Sequence, residues 1–179
     1  MTRLQIAGWQ VAGLMLLAAP VAAETIDRVV AVVAGQLIML SDVVAVRDLG
    51  IVPATAGGDP VGSVVTKLID RELMLVEVDR YAPPEPDNAD IEREVAAVRA
   101  RFPSDKAFND VLARSGFDPA HVREIVRQNL RLRAYLEQRF AAPDGDQQRR
   151  QKLIDDWVAG LRRRTPAVIV PQRNTEAAR

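Results

Sequence analysis

Near its C-terminal end the chain carries one short β-prone run, Ala167-Val168-Ile169-Val170, isolated behind Pro166. A lone strand cannot satisfy its own backbone and must pair with something distant. The other strand-like material follows Ile26 at the opposite end, where IDRVVAVV and LIML flank Ala34-Gly35-Gln36 in a hairpin pattern. The two ends are therefore expected to meet in one small sheet. The regular structure between them reads as helix, so the expected fold is mostly α with a small β element, an α+β domain whose N-terminal hairpin pairs with the C-terminal strand.

The intervening helices carry their own punctuation. Ala34 is a poor occupant of a type I′ turn, which needs positive φ at both central residues, so a type II turn or a longer loop is expected there. Ser41-Asp42 should cap a short helix through Leu49, with Gly50 as breaker. Residues 51–60 hold two Pro and two Gly and read as loop. A helix over about 61–81 presents Val64, Val65, Leu68, Ile69, Leu73 and Val76 on a wide face. The next starts at Asp87 or Asn88 and spaces Ile91, Val95, Val98 and Phe102 as a narrow stripe. Ser104 should cap a helix carrying Phe108, Val111 and Leu112, closed by Ser115-Gly116. Asp118 before Pro119 opens what should be the longest helix, reaching about Ala141 and roughly 35 Å long. After AAPDGD, a last helix spans about residues 147–164.

Chemistry is constrained by what the sequence lacks. With no Cys there is no disulfide, thiolate metal site or cysteine nucleophile. Lys and Arg number 24 against 24 Asp and Glu, a balance that argues against a nucleic-acid binder working by phosphate neutralisation. The single His, His121, falls in the first turn of a helix beside Asp118 and reads as a surface residue near a cap. Gly57-Gly58 lacks the Lys and Ser/Thr of a phosphate loop, and Asp144-Gly145-Asp146 lacks the remaining ligands of a calcium loop. Asp155 and Asp156, adjacent on a helix, point about 100° apart and do not converge on a metal. Arg162-Arg163-Arg164 sits in a last helical turn, where the macrodipole favours cations. No catalytic residue, metal ligand or cofactor is expected, and the chain is not read as an enzyme.

The first residues read as an export signal: Arg3, an apolar run over 11–19, Pro20, then the small residues Val21-Ala22-Ala23 before a cleavage point after Ala23. The run is shorter than the ~20 residues of a spanning helix.

Several stretches together resemble one family. IDRVVAVVAGQLIMLSDV, LIDRELMLVEVDR and ARFPSDKAFNDVLARSGFDPAHVREIVRQNLRLRAYLEQRF look like the N-terminal region of SurA-type periplasmic chaperones. The ending, with Trp157, Leu161, Arg162 to Arg164 and AVIV, is similar to the C-terminal segment that completes the same domain. The resemblance implies a SurA N-terminal-like domain over 24–171, completed by the helix at 147–164 and the strand at 167–170; the residues themselves set the signal peptide at 1–23 and a tail over 172–179 that is expected to be disordered. Family members insert parvulin-type prolyl isomerase modules between the long helix and the final one. Here six residues, 141–146, occupy that place, far below the ~40 needed for an independently folding unit. The family's hairpin usually has Asn where Ala34 stands.

The function implied is an ATP-independent periplasmic holdase for unfolded outer-membrane or exported polypeptides, with no nucleic acid and no membrane segment after cleavage. An assembly or scaffold partner of one exported complex is the alternative, and a prolyl isomerase is opposed by the missing module. Met39, Met74, Phe102 and Phe108 are the candidate client contacts, since Met and aromatic side chains suit adaptable binding surfaces.

Overall fold

Two left-handed residues join the first two strands. The computed structural model describes residues 27–52, 59–142 and 145–171. The expected signal peptide, the 172–179 tail, most of the loop expected over 51–60, and Asp144 lie outside the described residues. Strands β1 (Val29–Val33) and β2 (Gln36–Met39) pair antiparallel, Val33 opposite Gln36, around Ala34 at φ 49° and Gly35 at φ 83°. Both central residues have positive φ, so the turn is a two-residue I′-like turn and not the type II turn or longer loop expected from Ala34. The twist of the flanking strands selects this geometry, and Ala34 accepts the left-handed conformation at a cost of about 1–2 kcal/mol. Ala34→Gly, which removes the Cβ penalty, should raise stability by about 1 kcal/mol, read as a higher midpoint in thermal unfolding. An unchanged or lower midpoint would show that the turn is unstrained.

The hairpin runs straight into α1 (Leu40–Asp48). Met39, not Ser41, is the N-cap, and the Asp42 carboxylate three residues on accepts the Met39 N–H at 2.8 Å. Ser41 lies inside the first turn, its hydroxyl donating to Asp27. With no residue between strand and helix, the cap falls on whichever residue is last in the strand, and Asp42 supplies the carboxylate of a half capping box.

The other helix starts follow their local signals. Asp59 accepts the Val61 N–H at 3.0 Å and opens α2 (Pro60–Tyr81), with Pro60 already helical, as its fixed φ permits at the first position. Next come α3 (Asn88–Arg99), α4 (Asp105–Ser115) capped by Ser104, α5 (Pro119–Arg139) capped by Asp118, and α6 (Gln147–Arg164) capped by Asp146. At 22 residues α2 is longer than α5 at 21, because Phe140 already leaves helical geometry. Phe102 lies beyond the end of α3, yet packs with that helix's apolar stripe.

The last strand, β3 (Val168–Ile169), returns to the hairpin. It pairs antiparallel with β1 in a sheet of order β2-β1-β3, with Ala31 opposite Ile169 and Val32 opposite Val168. Val170 adds a backbone bond to the Val30 carbonyl at 3.0 Å. The ends of the domain do meet, which gives a mostly helical fold with a small three-stranded sheet.

Two apolar clusters fill the interior. One joins Val30, Val33 and Ile38 of the sheet to Val64, Leu68 and Leu73 of α2, with Leu161 of α6 closing it. The other gathers Ile91 and Val98 of α3, Phe108 and Leu112 of α4, and Val122 and Val126 of α5. Helix α1 serves both: Val43 and Val46 face the first cluster, while Leu49 just beyond its end enters the second. A ladder of arginines on α5 then holds the end of α2, the α2–α3 connection and α3: Arg131 on Asp79 at 2.9 Å, Arg127 on Glu85 at 2.7 Å, Arg133 on Glu94 at 3.2 Å. The exposed pairs of Arg127 and Arg133 contribute little to stability alone, so they orient α3 more than they stabilise the fold.

Candidate functional site

Helices α5 and α6 both rest on α2, and between them the surface is open. The C-terminal half of α5 turns Leu132 and Leu136 toward this space, one turn apart, and α6 answers with Ile154 and Val158 at the same spacing. Met74 of α2 and the Ile51-Val52 segment complete the apolar part of the lining. The result is a groove of about 940 Å³.

Charged groups flank it. Arg162 of α6 grips Asp70 of α2 through two bonds of 2.5 Å each, in the bidentate geometry that a guanidinium and a carboxylate favour. Arg150 Nε donates to the Phe140 carbonyl at 3.1 Å, fastening the start of α6 to the end of α5. Arg71 is largely buried and donates to Glu72 at 2.9 Å, Gln128 at 2.7 Å and Asn129 at 3.1 Å. Burial pulls its guanidinium below the ordinary arginine range, and the neighbouring Glu72 and Glu124 oppose that shift. An apolar lining between charged walls, open to solvent, can take up an apolar chain segment and leave its polar backbone in water.

Beside the α5–α6 connection an aromatic cluster ties three helices together. Trp157 lies 5.4 Å from Phe140 and 5.8 Å from Tyr135, and Tyr81 lies 5.5 Å from Tyr135. The Arg139 guanidinium stands among these rings, 5.6 Å from Phe140 and 5.8 Å from Trp157, within cation–π range. Trp157 therefore reports on the α5–α6 contact, not on α6 alone.

Of the four residues singled out from sequence, only Met74 lines the groove. Met39 lines a different hollow, beside Asp27, Ser41 and Gly116. Phe102 and Phe108 come together, ring edge to ring face at 5.5 Å, inside the second cluster. Phe108 is 4% exposed, so its ring packs the interior and offers no surface to a client. The groove residues that sequence reasoning did not single out include the half-buried Leu132 and Leu136, with Ile154 and Val158 touching the groove while largely buried, each 9% exposed. Their signal was present as apolar i,i+4 pairs, but such pairs look the same whether another element covers them or not.

The remaining chemical candidates take structural places. His121 Nδ1 lies 2.9 Å from Asp118, in the first turn that Asp118 caps, and its ring stacks on Phe117 at 5.2 Å. Hydrogen bonds from the His121 backbone and ring hold the Asp118 carboxyl below its ordinary value. Among the described residues, no group of three or more His, Asp or Glu could hold a metal ion, and no helix is long and apolar enough to cross a membrane. Compared with known proteins, the chain matches no family model and no curated protein.

Proposed function

We propose that this protein is an ATP-independent periplasmic holdase, a SurA N-terminal-like chaperone domain without the isomerase module, binding unfolded outer-membrane or exported polypeptides. The observation that carries the reading is the groove between α5 and α6, apolar in its lining, charged at its walls and open to solvent. A chain segment entering it buries apolar side chains that would otherwise drive aggregation of exposed strands. Ordering the client costs entropy, so affinity is modest and selectivity for sequence weak. Resemblance over the hairpin, the central helices and the closing strand supports the same reading, as does the signal-like start that would send the chain to the periplasm.

The test is aggregation of an unfolded β-barrel protein diluted from denaturant. Near-stoichiometric protein should slow light scattering, and Leu136→Glu on the groove wall should weaken that effect while leaving the thermal midpoint unchanged. Scattering that proceeds at the same rate with and without the protein would overturn the holdase reading. Indifference to generic clients combined with one tight partner in a pull-down from periplasmic extract would instead favour a dedicated assembly role.

A further inference from the structure

The sheet has a second open side, away from β3. With β1 in the centre, β2 is an edge strand. Val33 and Gln36 flank the two-residue turn and exchange ladder bonds, so the alternation of an antiparallel pair turns the N–H and C=O of Leu37 outward. An outward-facing backbone pair of this kind is a template for another strand. Beyond the edge lies a slot of about 480 Å³, lined along β2 by Gln36, Leu37 and Ile38 and across from it by Ile125 and Gln128 of α5. An edge strand facing a helix across a narrow slot is a geometry in which extended peptides are taken up as an added strand.

The slot also has an unbalanced charge. Asp42, Glu72 and Glu124 line it against Arg71, with His121 beside them. Glu124 is occupied by Arg127 at 2.7 Å and 2.8 Å, and Arg71 has given its donors to Glu72, Gln128 and Asn129. Asp42 uses one oxygen for the Met39 N–H and Glu72 uses one for Arg71, which leaves the second oxygen of each without a hydrogen bond among the described residues. Burial raises both carboxyls above the ordinary range; Asp27 adds to the rise on Asp42 against the Met39 N–H and His121, and Asp42 and Asp79 add to it on Glu72 against Arg71. A cation entering the slot would offset a charge that the fold leaves poorly compensated.

We infer that the slot between β2 and α5 is a strand-addition site for an extended peptide carrying a basic side chain, its backbone pairing with Leu37 and its Lys or Arg meeting Asp42 and Glu72. A second copy of the folded domain does not suit this place: a stable dimer needs about 800 Å² from each partner, and α5 walls the slot against anything broader than a single chain. The inference rests on the reading of the protein as a binder of unfolded chains, to which it adds a second surface with a defined chemistry.

The experiment measures fluorescence anisotropy of labelled peptides of alternating valine and threonine with the full chain. One peptide has a central Lys, a second has Glu in its place, and a third is the Lys peptide N-methylated at alternate backbone amides. The Lys peptide should bind about tenfold more tightly than the Glu peptide, as expected where carboxylates outnumber cations along the slot, and N-methylation should abolish binding. Asp42→Asn with Glu72→Gln should erase the preference for Lys while the chain still unfolds in one cooperative transition, since both amides keep the acceptor used by Met39 and Arg71. Leu37→Pro should remove binding of every peptide, and the methylated peptide tests the same backbone pairing without altering the protein. Equal binding of Lys and Glu peptides, or indifference to methylation, would overturn the site. If aggregation is still slowed by the wild-type chain in that case, the holdase reading survives and this inference alone fails.

Discussion

A chain ended at Asp146, ahead of α6, is expected to lose the cooperative unfolding transition of the whole domain. Helix α6 inserts Ile154, Val158 and Leu161, all buried, and Leu161 belongs to the cluster that joins the sheet to α2. Burying an aliphatic side chain of this size contributes about 1.5–3 kcal/mol, so three of them approach the lower end of the 5–15 kcal/mol that keeps a domain folded. The same truncation removes β3, leaving β1 with one partner and a hairpin that is marginal by itself. It also removes the Arg162 clamp on Asp70 and strips Trp157 from Tyr135 and Phe140. Circular dichroism of the two chains on heating checks this directly. A truncated chain that melts with the same midpoint and steepness would mean that the closing segment is an appendage.

The second large effect is expected at Phe108. Its ring packs with Leu49, Ile91, Val98, Leu112 and Val122 in the second cluster, with the Phe102 ring 5.5 Å away in a T-shaped arrangement and the Arg99 guanidinium 5.8 Å from its centroid. Phe108→Ala should therefore cost about 3–5 kcal/mol, the range for emptying a buried phenylalanine site. Urea unfolding should show a lower midpoint with an unchanged slope, because the surface exposed on unfolding is nearly the same. Phe102→Ala, at a half-buried position beyond the end of α3, should cost less. A loss below about 1 kcal/mol at Phe108 would contradict its place in the core and return it to the candidates for client contact.

Much of this fold is legible locally. Ser104 and Asp118 cap the helices they precede because a side-chain oxygen three residues back meets an orphan N–H wherever the sequence puts it. The start of α6 at Gln147 and its end at Arg164 follow in the same way from Asp146 before it and Pro166 after it. The pairing of the two ends was also readable, since β-prone runs at opposite ends of a helical chain have few other partners. What failed locally did so where two elements share a residue. Ser41 has the chemistry of a cap, but the strand ends at Met39 and the helix begins at once, so Asp42 reaches back instead. Ala34 has the wrong chemistry for its turn, yet the register of Val33 opposite Gln36 leaves two residues to close the hairpin.

The candidate sites were less legible, and Met74 beside Phe108 shows why. Both are large, apolar and helical, and nothing in their spacing separates them. Met74 lines a groove because α5 and α6 diverge over α2, whereas Phe108 is enclosed because α3, α4 and α5 converge on it. Leu37 likewise alternates like any strand residue, and only strand order puts it at an edge with α5 opposite. By itself, then, the sequence determined the helices, their caps and the need for the two ends to pair, because these depend on groups within a few residues or on β-prone runs with no other partner. Which apolar and charged side chains remain open to a ligand was decided only by the tertiary structure, because exposure depends on how distant helices splay, and one amphipathic pattern serves a covered face and an open one alike.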